Sequence, residues 1–449
     1  MKYKKLFRAL CFTLVTGMTV LYVQYYLGAD EQISFENQRG LYLEQKNSLD
    51  AVYIGSSNVH YFWSPPVAWA SHGITVWSFS NNAQPIHAIK YLLTEARKLQ
   101  PNALYIINVN GFKEAWVNIA SFHSTTDYIP ISLNKVRMIY RLAQQRAFSA
   151  FSALEKMEFF LPIIRFHSRW SSLGSWVFTN PCRKGCTPWA GFLHLVTNLS
   201  KCYTSTENKI GLTSTVNETL RELLDYCDAK KLKVLFVEVP QALEESSLAR
   251  LNTVEATIKL RGYPVLNLLK DVSIMGIQST TDYYDAWHLN IHGSLKFTEY
   301  LSRYLIEHYG FKDKRGQPGW ESWDESIEQY GRVINPWTLP LEREYAPRDY
   351  SLSSPSLNRP AVKEQDVTVS WKAVKGAEGY EIYRKSNAEQ RGYWHHVKTV
   401  STDVLSHSDR KLKAKTQYTY TVVPFRKENG KTLYGHFSFN GVTATTGGK

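Results

Sequence analysis

The chain has 449 residues, too many for one ordinary core, and its hydrophobic content of 43% is that of a folded protein, so at least two domains are expected. Its formal net charge is +13, which favours anionic surroundings without naming them. No zinc-finger spacing and no arginine-rich recognition segment accompanies that charge, which argues against a nucleic-acid reader.

The N-terminus opens with Lys2, Lys4, Lys5 and Arg8, followed by a charge-free stretch from Ala9 to Leu27. A helix of that length nearly crosses a bilayer core. The basic flank would stay inside, which sends the rest of the chain outside. Tyr22, Tyr25 and Tyr26 would suit the far interface. Residues 1–29 are therefore expected to be a single-pass anchor, with a cleaved signal peptide as the rival reading. An exported chain permits disulfides. Cys182 and Cys186 flank a three-residue loop that a disulfide could close, while Cys202 and Cys227 either pair or stay free.

Next come DAVYIG and GITVWSFS, two apolar runs that predict strands. PIHAIKYLLTEARKL has helical spacing, with Ile86, Ile89, Leu92 and Leu93 on one face, and NALYIINV predicts a third strand. Residues 112–209 break the rhythm. They hold a long helical, aromatic-rich stretch that exceeds a normal crossover and predicts a helical insertion over the sheet's edge. The alternation resumes with VNETLRELLDYCDAKKL as helix, KVLFVEVP as strand, SLARLNTVEATIKLRG as helix and YPVLNLL as strand. IHGSLKFTEYLSRYLIEHYG is the last helix. Five strands with helices between them predict a three-layer α/β/α sandwich over residues 30–311.

Residues 312–359 carry too many large apolar groups for a free linker, as in WESWDES and NPWTLPLER, and read as a packed connector. From residue 360 to 449 the pattern alternates in and out, as in DVTVSWKAV and QYTYTVVPF, which predicts a β-sandwich. Trp371, the run Gly379 to Tyr383, Tyr418 and Tyr420 give it a resemblance to a fibronectin type III domain. Tyr380, Ile382 and Tyr420 are expected in its core, and His395 and His396 on its surface.

The chemistry concentrates in two distant stretches. VYIGSSNVH places Ser56 and Ser57 where the first strand ends, the edge at which open α/β sheets bind ligands. TDYYDAWHLNIHGSLKF places Asp285 three residues before His288, just ahead of the last helix. One turn of chain lets that carboxylate reach the imidazole, leaving the other ring nitrogen free to act as base toward a serine. His60 reads as a helix-surface residue, and His292 as one that caps or packs at the last helix.

Those stretches, with WSFSNNAQPIHAIKYLL, resemble the SGNH (GDSL-like) hydrolase superfamily. The similarity is to its membrane-anchored branch of D-alanyl-lipoteichoic acid transfer proteins and related bacterial envelope acyltransferases. The resemblance covers roughly Asp50 to Gly310, outside much of the insertion. It implies Ser57 as nucleophile, His288 as base and Asp285 as its orienting carboxylate, with Ser56 standing where ordinary members have Asp. It implies oxyanion donors from the Ser57 N–H, from a backbone N–H at Asn82 or Ala83, where glycine is usual, and from the side chain of Asn110, with Asn108 as its rival.

The function it implies is an extracytoplasmic serine-dependent O-acyltransferase working on an envelope or exported glycan through an acyl-serine. A carbohydrate esterase and a non-catalytic glycan-binding scaffold are the alternatives. No metal or organic cofactor is needed. The partners implied are an acylated glycan or anionic envelope polymer, the membrane, and a multipass membrane acyltransferase.

Overall fold

Five short apolar runs become five parallel strands: β1 (Ala51–Gly55), β2 (Val76–Ser80), β3 (Leu104–Asn108), β4 (Val234–Glu238) and β5 (Val265–Asn267), in the order β2-β1-β3-β4-β5. The first four are buried along their whole length, as strands covered on both faces must be. The structure, a computed structural model, describes residues 2–27, 35–115, 119–172, 184, 197, 199, 205–270, 272–280, 282–334, 349, 351–388, 394–435, 437–438 and 441–448.

Alternate side chains of each strand enter two separate cores. Val52, Ile54, Ile107 and Phe236 join Leu92, Leu93, Leu220, Leu224 and Ile258 on one face. Ala51, Tyr53, Ile106 and Leu235 join Val59, Phe62, Phe297 and Leu301 on the other. The period of two along each strand thus separates two helical layers. Ahead of the sheet lie α1 (Lys2–Leu27) and α2 (Gly40–Leu43), and after β1 come α3 (Ser57–Phe62), α4 (Pro65–His72) and α5 (Ile89–Leu99). The insertion supplies α6 (Ile119–Thr126), α7 (Leu133–Ala143), α8 (Ala153–Glu158) and α9 (Ile163–Phe166). The closing helices are α10 (Ser214–Lys230), α11 (Glu245–Leu260) and α12 (Ile291–Tyr309). Helices α5, α10 and α11 line the first core and α3, α4 and α12 the second.

The insertion is no separate lobe where it is described. Phe122, Phe148, Phe151 and Phe159 pack ring on ring, His123 stacks on Phe159 at 4.2 Å, and the cluster is continuous with the first core. The connector contains a helix that its composition did not reveal, α13 (Glu321–Ile334), whose Trp323 packs against Trp69 of α4. Trp69 Nε1 donates to Asp324 Oδ1 at 2.8 Å, and Trp323 Nε1 donates to Glu44 Oε1 at 3.1 Å, so each buried indole keeps its hydrogen bond.

The C-terminal region is β-rich. One sheet has the order β10-β7-β6, the other β12-β11-β8-β9 with β13 on β11, taking β6 (Ala361–Lys363), β7 (Asp366–Ser370), β8 (Gly379–Ser386), β9 (His395–Ser401), β10 (Ser406–Asp409), β11 (Gln417–Glu428), β12 (Lys431–Tyr434) and β13 (Val442–Thr445). Tyr380, Ile382 and Tyr420 are fully enclosed with Trp371 and Val369, while His395 and His396 are exposed. This is an immunoglobulin-like or fibronectin-like sandwich. Its Phe437 ring stands edge-on to His292 of α12, 5.1 Å between centroids.

The membrane anchor is corrected. Among the described residues no helix is long and apolar enough to cross a membrane. In α1, Lys2, Lys4, Lys5 and Arg8 occupy the first two turns, and Thr13, Thr16 and Thr19 interrupt the apolar run beyond them. The single-pass localisation built on that anchor is withdrawn with it. Cys227 is buried and free, the second of the two states the sequence allowed it, and burial pushes its thiol up to about 12. Cys182, Cys186 and Cys202 lie outside the described residues.

Candidate active site

The chain runs from β1 to β2 on one side of β1 and then crosses to β3 on the other. A doubly wound sheet opens a crevice at the carboxyl ends of the two strands where the winding reverses. Gly55 ends β1 there, Ser56 follows in extended conformation as N-cap, and Ser57 is the first residue of α3.

Gly55 is set by space, not by conformation. A Cβ at this position would stand 2.7 Å from Val59 Cγ2 and 2.8 Å from Asn108 Cβ. Gly55→Ala should therefore destabilise the fold by about 1–3 kcal/mol, read as a lowered midpoint of chemical unfolding. An unchanged midpoint would show that the strand end has room to relax.

The two serines divide their roles. Ser56 Oγ accepts the Gln84 N–H at 3.2 Å, which ties the loop after β2 to the turn after β1. Ser57 Oγ lies 2.8 Å from His288 Nε2, although the two residues are 231 positions apart. His288 Nδ1 lies 2.9 Å from both Asp285 oxygens. With Nδ1–H donating to Asp285, Nε2 is left as the acceptor for the Ser57 hydroxyl.

Local chain geometry makes the second pair. Asp285 Oδ1 also accepts the N–H groups of Trp287 at 2.7 Å and His288 at 2.8 Å, so the carboxylate closes its own turn. Burial raises the Asp285 carboxyl, but the bond from His288 and those from the two backbone N–H groups outweigh it and hold it below the usual carboxylate range. It is therefore ionised at neutral pH and able to stabilise an imidazolium.

Contacts from the sheet hold that turn in place. Gln241 Nε2 donates to Trp287 O at 3.0 Å, the Ala242 N–H donates to Ala286 O at 2.8 Å, and the Asn290 N–H donates to Asp282 O at 2.9 Å. Asn290 then caps α12 by accepting from the N–H groups of His292 and Gly293. The Tyr61 ring packs 4.6 Å from the His288 ring. Burial pushes the Tyr61 phenol up to about 12, helped by Tyr284 and Asp285, so it stays neutral beside the histidine. Gln241 and Tyr61 escape a reading of the sequence, because nothing in VPQALEE or NVHYF marks a residue that acts by packing on a loop 40 or more positions away.

The expected oxyanion side chain is not available. Asn110 is buried, and its amide nitrogen donates to Val239 O at 2.9 Å and to Gln241 Oε1 at 3.1 Å. Its Oδ1 accepts from the Val239 N–H and from Asn108 Nδ2, so Asn108 is engaged as well. The pair joins β3 to the segment after β4. Asn82 and Ala83 lie on the loop tied to Ser56. Asn82 is exposed, and Ala83 holds a φ of 52°, the left-handed conformation that glycine adopts without strain. His60 is not a surface residue. It is buried, with Nδ1 2.9 Å from Ser80 Oγ. His292 is buried against Phe437 at the start of α12.

No family model matches the chain, and no curated protein matches it. Solved structures similar to part of it include the FN1-FN3 domains of chicken CNTN1, 24% identical over 22% of this chain and 31% of that one, TM-score 0.19. An FN3 domain of human collagen XX is 22% identical over 22% of this chain and 98% of its own, TM-score 0.18. The FN5 domain of Drosophila Lar is 18% identical over 22% and 99%, TM-score 0.18. The matched part thus spans less than a third of the chicken structure. These findings overturn the expected SGNH membership, which no family model supports and which the fibronectin-domain likenesses do not touch. The glycan or envelope polymer, the membrane and the multipass acyltransferase expected as partners lose their ground with it.

Proposed function

We propose that the protein is a serine-dependent acyl-transferring enzyme. Ser57 Oγ attacks an acyl carbonyl while His288 Nε2 takes its proton and Asp285 steadies the imidazolium. The tetrahedral adduct collapses to an acyl-Ser57, and the departing alkoxide takes the proton back from His288. An acceptor hydroxyl then gives its proton to His288 as it attacks the acyl-serine, and His288 passes that proton to Ser57 Oγ as the serine departs and the new ester is released. The observation that carries this reading is the continuous 2.8 and 2.9 Å chain from Ser57 through His288 to Asp285.

Hydrolysis, with water as acceptor, is the second reading. It is favoured by the open position of the turn, where Trp287 is 52% exposed between the acid and the base. Incubation with a short-chain aryl ester should leave an acyl group on the peptide that holds Ser57, seen by mass spectrometry. Sugar and polyol acceptors added to that reaction should convert acyl release into a new ester. Release unaffected by every acceptor would decide for hydrolysis, and an adduct on any peptide other than that of Ser57 would defeat both readings.

A further inference from the structure

The acyl-serine reading leaves one requirement unmet: a side-chain donor for the oxyanion, since Asn110 and Asn108 are bonded elsewhere. The loop from Asn81 to Gln84 is the other wall beside the nucleophile, because the Gln84 N–H is held by Ser56 Oγ. Within that loop, Asn81 Nδ2 donates to Gln84 Oε1 at 3.0 Å, and Asn81 Oδ1 accepts from Thr125 Oγ1 at 3.3 Å. Gln84 Nε2 has no hydrogen-bond partner among the described residues, but it is enclosed and out of a substrate's reach. Asn82 is the loop's exposed amide.

His60 stands behind it. It lies three residues after Ser57 on α3, so the two side chains share a helix face. Ser80 Oγ accepts from Asn37 Nδ2 at 3.1 Å and retains its hydroxyl hydrogen, which can be given to His60 Nδ1, 2.9 Å away. With the Ser80 hydroxyl donating to Nδ1, the proton of His60 is on Nε2, an enclosed atom with no hydrogen bond of normal length among the described residues. A buried donor without a partner costs about 1–3 kcal/mol, and an enclosed one cannot itself meet a substrate. The Asn82 side chain is the amide that interacts with this ring, and burial keeps the imidazole neutral, its pKa lowered to about 3.

We infer that His60 is a positioning residue: its Nε2–H draws in the Asn82 amide oxygen and so turns the Asn82 Nδ2–H toward the oxyanion formed on attack by Ser57. Ser80 and Asn37 fix the ring tautomer, and the chain Asn37–Ser80–His60–Asn82 brings the order of the second strand's end to the reacting carbonyl. The Ser57 N–H, in the first turn of α3, is the backbone donor that the helix leaves over.

The inference rests on the acyl-serine reading and is tested on the full chain with an aryl ester, each rate normalised to the fraction of Ser57 labelled by a fluorophosphonate. Asn82→Ala should lower kcat about 10- to 100-fold with KM within about twofold. Asn82→Asp should be slower still, because a carboxylate repels the oxyanion. That order is opposite to the one a structural role would give, since Asp is the closer isostere. His60→Ala should match Asn82→Ala, and the double variant should be no slower than either alone. Additive losses, an Asp variant faster than the Ala variant, or unchanged kcat in Asn82→Ala would overturn the inference. The Asn82 variants alter an exposed side chain and carry the test even if His60→Ala does not fold. A wild-type protein that takes no label at Ser57 would instead overturn the acyl-serine reading on which it stands.

Discussion

Ser57→Ala should lower ester turnover by about 10⁴-fold or more and abolish fluorophosphonate labelling, with the thermal midpoint unchanged. The nucleophile is the atom that forms the covalent bond, so nothing nearby substitutes for it. Ser56 cannot, because its Oγ holds the Gln84 N–H while the His288 ring nitrogen is bonded to Ser57. His288→Ala should lose about as much, and the double variant no more than either single, since the pair acts as one unit. Asp285→Asn is more telling. Asp285 accepts from His288 Nδ1 and from two backbone N–H groups at once. An amide at the same place can present its own N–H to the ring and reverse the tautomer, leaving Nε2 protonated and unable to accept from Ser57. The loss should be about 10³- to 10⁴-fold. Turnover by Ser57→Ala within tenfold of wild type, or full labelling of that variant at another residue, would remove Ser57 from the mechanism.

The second large effect concerns stability. Glu238, the last residue of β4, is fully buried, and among the described residues neither carboxyl oxygen has a hydrogen-bond partner. Burial raises its pKa from 4.5 to about 8, with Glu255 adding to the shift and Lys270 and Lys259 opposing it. The folded protein thus keeps a proton that the unfolded chain releases above pH 4.5. The folded-state pKa lies above the unfolded one, so the neutral carboxyl is tolerated in full below about pH 4.5, and stability is lost as pH rises toward 8. Glu238→Gln removes the ionisation and with it this loss. The variant should match the wild type near pH 4 and be more stable near pH 8 by on the order of 2–4 kcal/mol, read from urea unfolding at both pH values. A stability difference that does not change with pH would mean that the carboxyl is ionised in the folded protein.

The sandwich meets the α/β part at His292, four residues beyond His288. None of the serine, histidine and aspartate of the candidate site comes from it. Phe437 packs on the helix start whose cap, Asn290, adjoins the turn of Asp285.

What the sequence alone determined is what short-range physics controls. Apolar runs such as AVYIG and VLFVE become strands because only strands buried on both faces tolerate them. Asp285 and His288 meet because three residues of chain suffice for a carboxylate to close its own turn. The alternation around Trp371 and Tyr420 declares two faces of a sheet at a glance. Sheet order was for the tertiary structure to decide. The 2-1-3-4-5 winding puts the end of β1 beside a turn 231 positions away, and so brings Ser57, which the sequence motif already singled out over Ser56, within 2.8 Å of His288. Asn110 departs from its expected role for the same reason. An asparagine after a strand has the same sequence whether it faces a reacting carbonyl or, as here, Val239 and Gln241. His60 reads as a surface residue until α3 is docked on β2 and Ser80 takes its Nδ1. Side chains that bond within a turn are written in the local chain, whereas those that bond across the sheet depend on a packing arrangement that burial of both faces selects all at once.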